Sequence, residues 1–259
     1  KGRDVWLALG LAAQEEYVVV HDADATTYSR AHVPRLLFPL AHGYDFSKGY
    51  YARVENDRLY GRLFRLFYTP LVRALAAVDD APIVDYLASF RYALAGEFAA
   101  TSDLVRQLRA QRGWGLEVGT LGDAFEAAGF SGTAQVDLGR HEHDHRAVGG
   151  PQGLGDMCRE VATALFHAVE DAGGDPDYDR LREQYRTVAD DLVGQYETDA
   201  AFNGFAFDAA GEREQVATYA EAVAPPEEDT RLPAWAETDL DPATVERAAR
   251  QGLDRATDR

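Results

Sequence analysis

The clearest hydrophobic signal in the chain is Tyr17-Val18-Val19-Val20, which stops abruptly at His21-Asp22-Ala23-Asp24. A short run of β-branched and aromatic residues predicts a buried strand that delivers two carboxylates to the loop behind it. Elsewhere the spacing is mostly helical. Val5, Leu7, Ala8, Leu11 and Ala12 make an opening helix, with no strand ahead of it to pack on, which suggests that an N-terminal part of the domain is missing from this sequence. Ser29 to Leu40 is apolar enough for a helix, with Pro34 near its start, where a missing N–H costs little. Gly43 to Arg53 alternates like an edge strand, with Tyr44, Phe46, Tyr50 and Tyr51 around Lys48. Arg58 to Leu75 reads as a helix interrupted near Pro70. Ala95-Gly96-Glu97 forms a small-residue turn before a helix at about Ser102, capped by Ser102 or Asp103. Leu121 to Ala128 is a further helix, and Gln135 to Leu138 a further strand.

The remainder is helical. Gly149 to Gly155 reads as a flexible connection, and two long amphipathic patterns follow, Asp156 to Asp171 and Asp177 to Tyr196. Ala224 to Asp229 is a Pro-rich acidic linker, and Pro242 to Arg255 a short charged helix. The alternation predicts an α/β class with a mainly helical C-terminal portion. Three parts are expected: residues 1–150, a helical continuation over 151–223, and a linker with a terminal helix over 224–259.

Composition narrows the function. Of 259 residues, 44 are acidic and 26 basic, a formal charge of −18, which argues against nucleic acid or an anionic membrane as the main partner. Only Lys1 and Lys48 are lysines. Many carboxylates with few lysines suggest a protein kept soluble in concentrated salt, in a salt-adapted cytoplasm. Cys158 is the single cysteine, so an internal disulfide is excluded and a reducing compartment fits. No apolar run approaches the roughly 20 residues of a membrane-spanning helix.

Several patterns carry chemistry, each with a plainer reading beside it. Asp22-x-Asp24 at a strand's carboxyl end suits a divalent cation bridged to a pyrophosphate, or is a solvated acidic turn. Arg58, Arg62 and Arg65 share a face if helical, either for a phosphate or carboxylate ligand or as a surface paired with acids. Glu117, flanked by glycines, is either a helix-capping carboxylate or a catalytic one. His141, His143 and His145 point one way if extended, so one can ligate a metal in an oxygen-rich site, or all three line a wet surface.

Taken in order, the motifs resemble those of the glucosyl-3-phosphoglycerate synthases and their mannosyl relatives, retaining glycosyltransferases. The matching pieces are Lys1-Gly2, Asp22-Ala23-Asp24, Lys48 with Tyr50-Tyr51, Gly61-Arg62 with Pro70-Leu71, Leu94-Ala95-Gly96-Glu97, Trp114 to Gly119, and Ala134 to Gly139 leading to Glu142-His143. They cover residues 1 to about 170. The resemblance implies a GT-A-like nucleotide-sugar-binding sheet flanked by helices. It implies Asp24 and His143 as ligands of Mg²⁺ or Mn²⁺, and Asp22 beside the sugar and ribose of the donor. Lys1 and Leu94 would be further donor contacts, with Glu117 at the reaction centre. Gly61, Arg62, His145 and Arg146 would take a small phosphorylated acceptor such as 3-phosphoglycerate. Phe64 and His145 depart from the family, which usually carries Thr and Asn there. The family's first strand and nucleotide loop are absent from the sequence, in line with a truncated chain.

The expected activity is metal-dependent transfer of a hexose, chiefly glucose, from a nucleotide-sugar donor, with retention. A mannosyl or inverting transferase and a non-catalytic metal-binding remnant are the alternatives. A homodimer is a further expectation.

Overall fold

A computed structural model describes residues 2–23, 25–52, 54–55, 58–59, 61–140 and 150–257. Its centre is a four-stranded sheet ordered β1-β5-β2-β6, made of β1 (Tyr17–Val20), β5 (Phe98–Thr101), β2 (Phe46–Ala52) and β6 (Thr133–Arg140). β5 is antiparallel to both neighbours, pairing Val20 with Phe98 and Lys48 with Phe98, while β2 and β6 run parallel from Phe46↔Thr133 to Tyr50↔Asp137. β1, β2 and β6 therefore point the same way. The sheet has the expected α/β character, but β2 is interior instead of an edge. Its second neighbour, β5, is built on Phe98-Ala99-Ala100-Thr101, and alanines give no strand signal.

Side-chain alternation divides the sheet's burial between two faces. Val18, Phe46, Phe98 and Ala100 enter the larger core, while Ala99, Leu138 and Tyr51 enter a smaller one beneath α2 (His32–Leu40), whose Leu36 and Leu40 are buried there. Pro34 lies in the first turn of α2, as expected. The larger core is filled by α3 (Thr69–Leu75), α4 (Pro82–Ala88), α6 (Leu116–Ala128), α7 (Gly150–Asp171), α8 (Tyr178–Asn203) and α9 (Ala209–Ala220). α6 and α7 cross closely because Gly115 and Gly122 face Ala164 and Ala168, where a Cβ at either glycine would stand 2.5 Å from an alanine methyl.

Local chemistry explains several boundaries. Asp177 caps α8 by accepting from the backbone N–H of Asp179 and Arg180, both at 3.1 Å, and Gly204 ends it at φ 72°. Thr101, rather than Ser102 or Asp103, accepts from Leu104 N at the start of the short α5 (Ser102–Val105). The segment expected to be a flexible connection is helical from Gly150, because Pro151 sits in a first turn that needs no N–H there. Arg58 belongs to a two-residue strand, β4 (Arg58–Leu59), paired with β3 (Val54–Glu55), so it does not share a helical face with Arg62 and Arg65. The helix expected over 58–75 instead begins as a π-helical turn, Leu63–Tyr68, and becomes α3 at Thr69-Pro70, where the interruption was expected.

The acidic linker is strapped down, not free. Leu232 N donates to Ala110 O at 2.9 Å and Ala236 N to Arg106 O at 3.0 Å. Arg231 bridges Asp171 and Asp229, each at 2.7 Å. Trp235 stacks on Trp6 of α1 (Gly2–Ala12) with ring centroids 4.8 Å apart, and its Nε1 donates to Trp6 O at 2.7 Å. A Cβ at Gly10 would be driven into the Trp235 indole. Gly10→Ala is therefore expected to cost about 1–3 kcal/mol of stability through overpacking. Urea unfolding checks this, and an unchanged midpoint would contradict it. The chain ends in α10 (Pro242–Thr257), close to the expected helix. No helix among the described residues is long and apolar enough to cross a membrane.

Candidate functional site

Because β1, β2 and β6 run together and β5 runs against them, one rim of the sheet collects three strand ends and one strand start. Ligands in α/β sheets bind at this kind of rim. His21 and Asp22 leave β1 there, Leu94 to Glu97 lead into β5, and Leu138 to Arg140 close β6. Continuing the β1–β5 register one pair at a time past Val20↔Phe98 sets Asp22 opposite Gly96. The carboxylate lies directly over that glycine, so that a Cβ on Gly96 would stand 2.7 Å from the Asp22 carboxyl carbon. A glycine is required here by space, not by an unusual backbone angle.

The turn under Asp22 is held from below. Lys48 is fully buried, and its Nζ donates to Ala95 O at 2.5 Å. Glu97 is also fully buried, and its carbonyl accepts from Gly49 N at 2.9 Å. On the other side of Asp22, His21 Nδ1 lies 3.0 Å from Asp22 O and 4.0 Å from Glu97 Oε1. Its Nε2 lies 3.1 Å from Nδ1 of His32, the first residue of α2. Tyr28 packs edge-on against both rings.

The Gly61-Arg62 segment reaches this rim through Tyr92. Gly61 has φ 77° and faces the Tyr92 hydroxyl; Tyr92 packs on Phe64 and Tyr51 at centroid distances of 4.7 and 5.0 Å and stands two residues before Leu94. Arg62 is half exposed. Its Nε is 3.3 Å from Glu212 Oε1, and Arg65 donates to the same carboxylate from both terminal nitrogens, at 3.0 and 3.2 Å. Both arginines thus have an acidic partner from α9. Glu117 lies in the first turn of α6, whose N-cap position is Gly115. α6 hands over to β6 through a four-residue turn and so runs back along it, which brings its N-terminus, with Glu117, toward the same rim.

Lys1, Asp24, His143, His145 and Arg146 lie outside the described residues. Among the described residues no group of three or more His, Cys, Asp or Glu could hold a metal ion. A second concavity, lined by Pro82, Arg109, Asp123, Phe125, Asp171 and Arg231, is closed by its own ion pairs: Arg109 meets Asp123 at 2.8 Å and Asp171 at 3.1 Å. Burial pushes the Asp123 carboxyl up to about 6, against the pull of Arg109.

Sequence reasoning named Asp22, Leu94, Gly61 and Arg62 as candidate site residues and Gly96 as a position of close backbone approach. It missed Glu212, which no local pattern could connect to residues nearly 150 positions earlier. It also missed the His21–His32 pair, although a histidine at the start of an apolar helix was a readable signal.

No family model matches the chain. A glucosyl-3-phosphoglycerate synthase from Methanococcoides burtonii is 36% identical over 247 residues, covering 89% of this chain and 60% of the relative. One from Persephonella marina is 36% identical over 236 residues, covering 86% and 58%. The chain thus spans about three fifths of the length of the curated relatives it matches. Among solved structures, Mycobacterium tuberculosis glucosyl-3-phosphoglycerate synthase in complex with Mn²⁺, uridine-diphosphate-glucose and phosphoglyceric acid is 32% identical. Its TM-score is 0.54, over 66% of this chain and 55% of that one. The sheet and its flanking helices share the GT-A-like architecture of that structure.

Proposed function

This chain is a relative of the glucosyl-3-phosphoglycerate synthases along 89% of its own length, and from that premise we propose that it carries the catalytic rim of a metal-dependent glucosyltransferase. Its donor is a uridine-diphosphate-glucose type of nucleotide sugar, its acceptor a small phosphorylated acid of the 3-phosphoglycerate kind, and the anomeric configuration is retained. One observation carries the reading: the Asp22 carboxylate sits over Gly96 at the carboxyl rim, and Tyr92 ties that turn to Gly61-Arg62.

The donor set suits a hard divalent cation such as Mg²⁺ or Mn²⁺, since it offers carboxylate and imidazole without thiolate. Asp24 and His143 would hold it. A bound cation supplies electrostatic stabilisation of the charge on the departing diphosphate.

The chain's own residues do the rest. Asp22 orients the sugar and ribose from above Gly96, and the Leu94 backbone contacts the transferred sugar. Arg62, steadied at Nε by Glu212, turns its remaining N–H groups to the acceptor's phosphate or carboxylate. The acceptor hydroxyl is thereby held next to the anomeric carbon, so that a collision becomes a local step. The bond from that carbon to the diphosphate oxygen breaks, the acceptor oxygen bonds to the carbon, and the hydroxyl proton leaves with the diphosphate. Glu117 orients the ring or offsets its positive charge. Lys1 belongs to the donor side, His145 and Arg146 to the acceptor side.

Phe64 favours keeping the acceptor's identity open within this class. It stacks on Tyr68 and packs at a tilt against Tyr92 beside Gly61, where the family resemblance leads one to expect the smaller, polar Thr.

The full-length protein incubated with uridine-diphosphate-glucose or guanosine-diphosphate-mannose, Mn²⁺ and either 3-phosphoglycerate or glycerol 3-phosphate tests the reading. Glucosyl transfer with retained configuration, abolished in Asp24→Ala, is expected. Transfer from the mannose donor only, inversion, or cation binding without turnover would each replace it with the corresponding alternative.

A further inference from the structure

We infer that His32 and His21 form a two-imidazole brace that fixes the carbonyl of Asp22 and thereby the direction in which the chain leaves that residue. Both are positioning residues, and the inference rests on the reading of Asp22 as part of the donor site. His32 is 2% exposed and begins α2, which Leu36 and Leu40 lock onto the sheet. From this fixed point the chain of contacts runs outward: His32 Nδ1 to His21 Nε2 at 3.1 Å, then His21 Nδ1 to Asp22 O at 3.0 Å. The two rings lie within 10° of parallel, and Tyr28 closes them edge-on.

The proton positions follow from what each atom can do. A carbonyl oxygen only accepts, so His21 Nδ1 carries the hydrogen and donates it to Asp22 O. A neutral His21 then has a lone pair at Nε2, so His32 Nδ1 must be the donor between the rings. One arrangement of the neutral pair satisfies both contacts. Its outer end is the peptide plane between Asp22 and Ala23, and rotating that plane would change the direction in which the chain leaves Asp22. The brace ties this point to a helix with no other place in the proposed chemistry.

The test compares His32→Ala, His32→Asn and His32→Gln in the full-length protein at one fixed pH. Uridine diphosphate affinity with Mn²⁺, donor KM, acceptor KM and thermal midpoint are read together. His32→Ala is expected to weaken nucleotide binding and raise donor KM about tenfold, the scale of one lost hydrogen bond. Acceptor KM should change less than about twofold on the same scale. Asn places an amide N–H near Nδ1 and should restore most of the loss; Gln places it near Nε2 and should not. A lower thermal midpoint with donor affinity intact, equal losses for donor and acceptor, or rescue by Gln as good as by Asn would overturn the inference. Nitrogen-15 spectra of the ligand-free protein separate it from the functional reading: Nδ1–H on both rings is expected, and Nε2–H on either overturns the brace. Failure of the wild-type protein to bind any nucleotide, with those tautomers intact, would overturn the donor reading and with it the positioning role.

Discussion

Gly96→Ala is expected to abolish nucleotide binding and leave the protein folded. The added methyl would stand 2.7 Å from the Asp22 carboxyl carbon, closer than any relaxed contact allows. The backbone beneath cannot yield easily, because Ala95 O is fixed by the buried Lys48 ammonium and Glu97 O by Gly49 N. The overlap is relieved by displacement of the Asp22 side chain, which carries its carboxylate off the rim. Loss of an oriented charged contact and of the turn's shape should weaken nucleotide affinity at least about 100-fold, roughly 2.7 kcal/mol. The thermal midpoint should stay within a few degrees. Gly194→Ala in α8, where nothing lies within 4 Å, is the matched control, and is expected to leave binding unchanged. Titration calorimetry with uridine diphosphate and Mn²⁺ decides; wild-type affinity in Gly96→Ala would remove Asp22 from the donor site.

The second large effect is on stability. Glu212→Ala removes the carboxylate that accepts both terminal nitrogens of Arg65, whose side chain is 11% exposed and also lies over the Tyr196 ring. Breaking a buried pair on one side costs about 3–5 kcal/mol, a large share of what holds a domain folded. Arg62→Ala breaks a contact to the same carboxylate from a side chain 51% exposed, so less than about 1 kcal/mol of stability should be lost. The two arginines are three residues apart yet should separate cleanly: Glu212 and Arg65 govern unfolding, and Arg62 governs acceptor affinity. Similar unfolding midpoints for Glu212→Ala and Arg62→Ala would contradict the division.

This contrast shows where the sequence could be read and where it could not. β1, α1, α8 and α10 rest on dense local patterns, and each lies close to its expected place. β5 was overlooked because two alanines, chosen by the space between two packed faces, look the same in a strand, a helix or a turn. That omission alone turned β2 from an interior strand into an expected edge. The arginine run was read as one helical face, because residue spacing cannot report that the chain first makes the β3–β4 hairpin and only then a π-helical turn. Asp22 and Gly96 were legible as motif positions, but their stacking one above the other depends on strand register. Glu212 depends on the packing of α9 against the π-helical turn, a long-range fact with no local signature.

β1 is the outermost strand on its side of the described sheet, and only one flank of Tyr17-Val18-Val19-Val20 is paired within it. A strand flank of this kind offers backbone N–H donors and carbonyl acceptors in a fixed alternation, so it is where one more extended segment in register would widen the sheet.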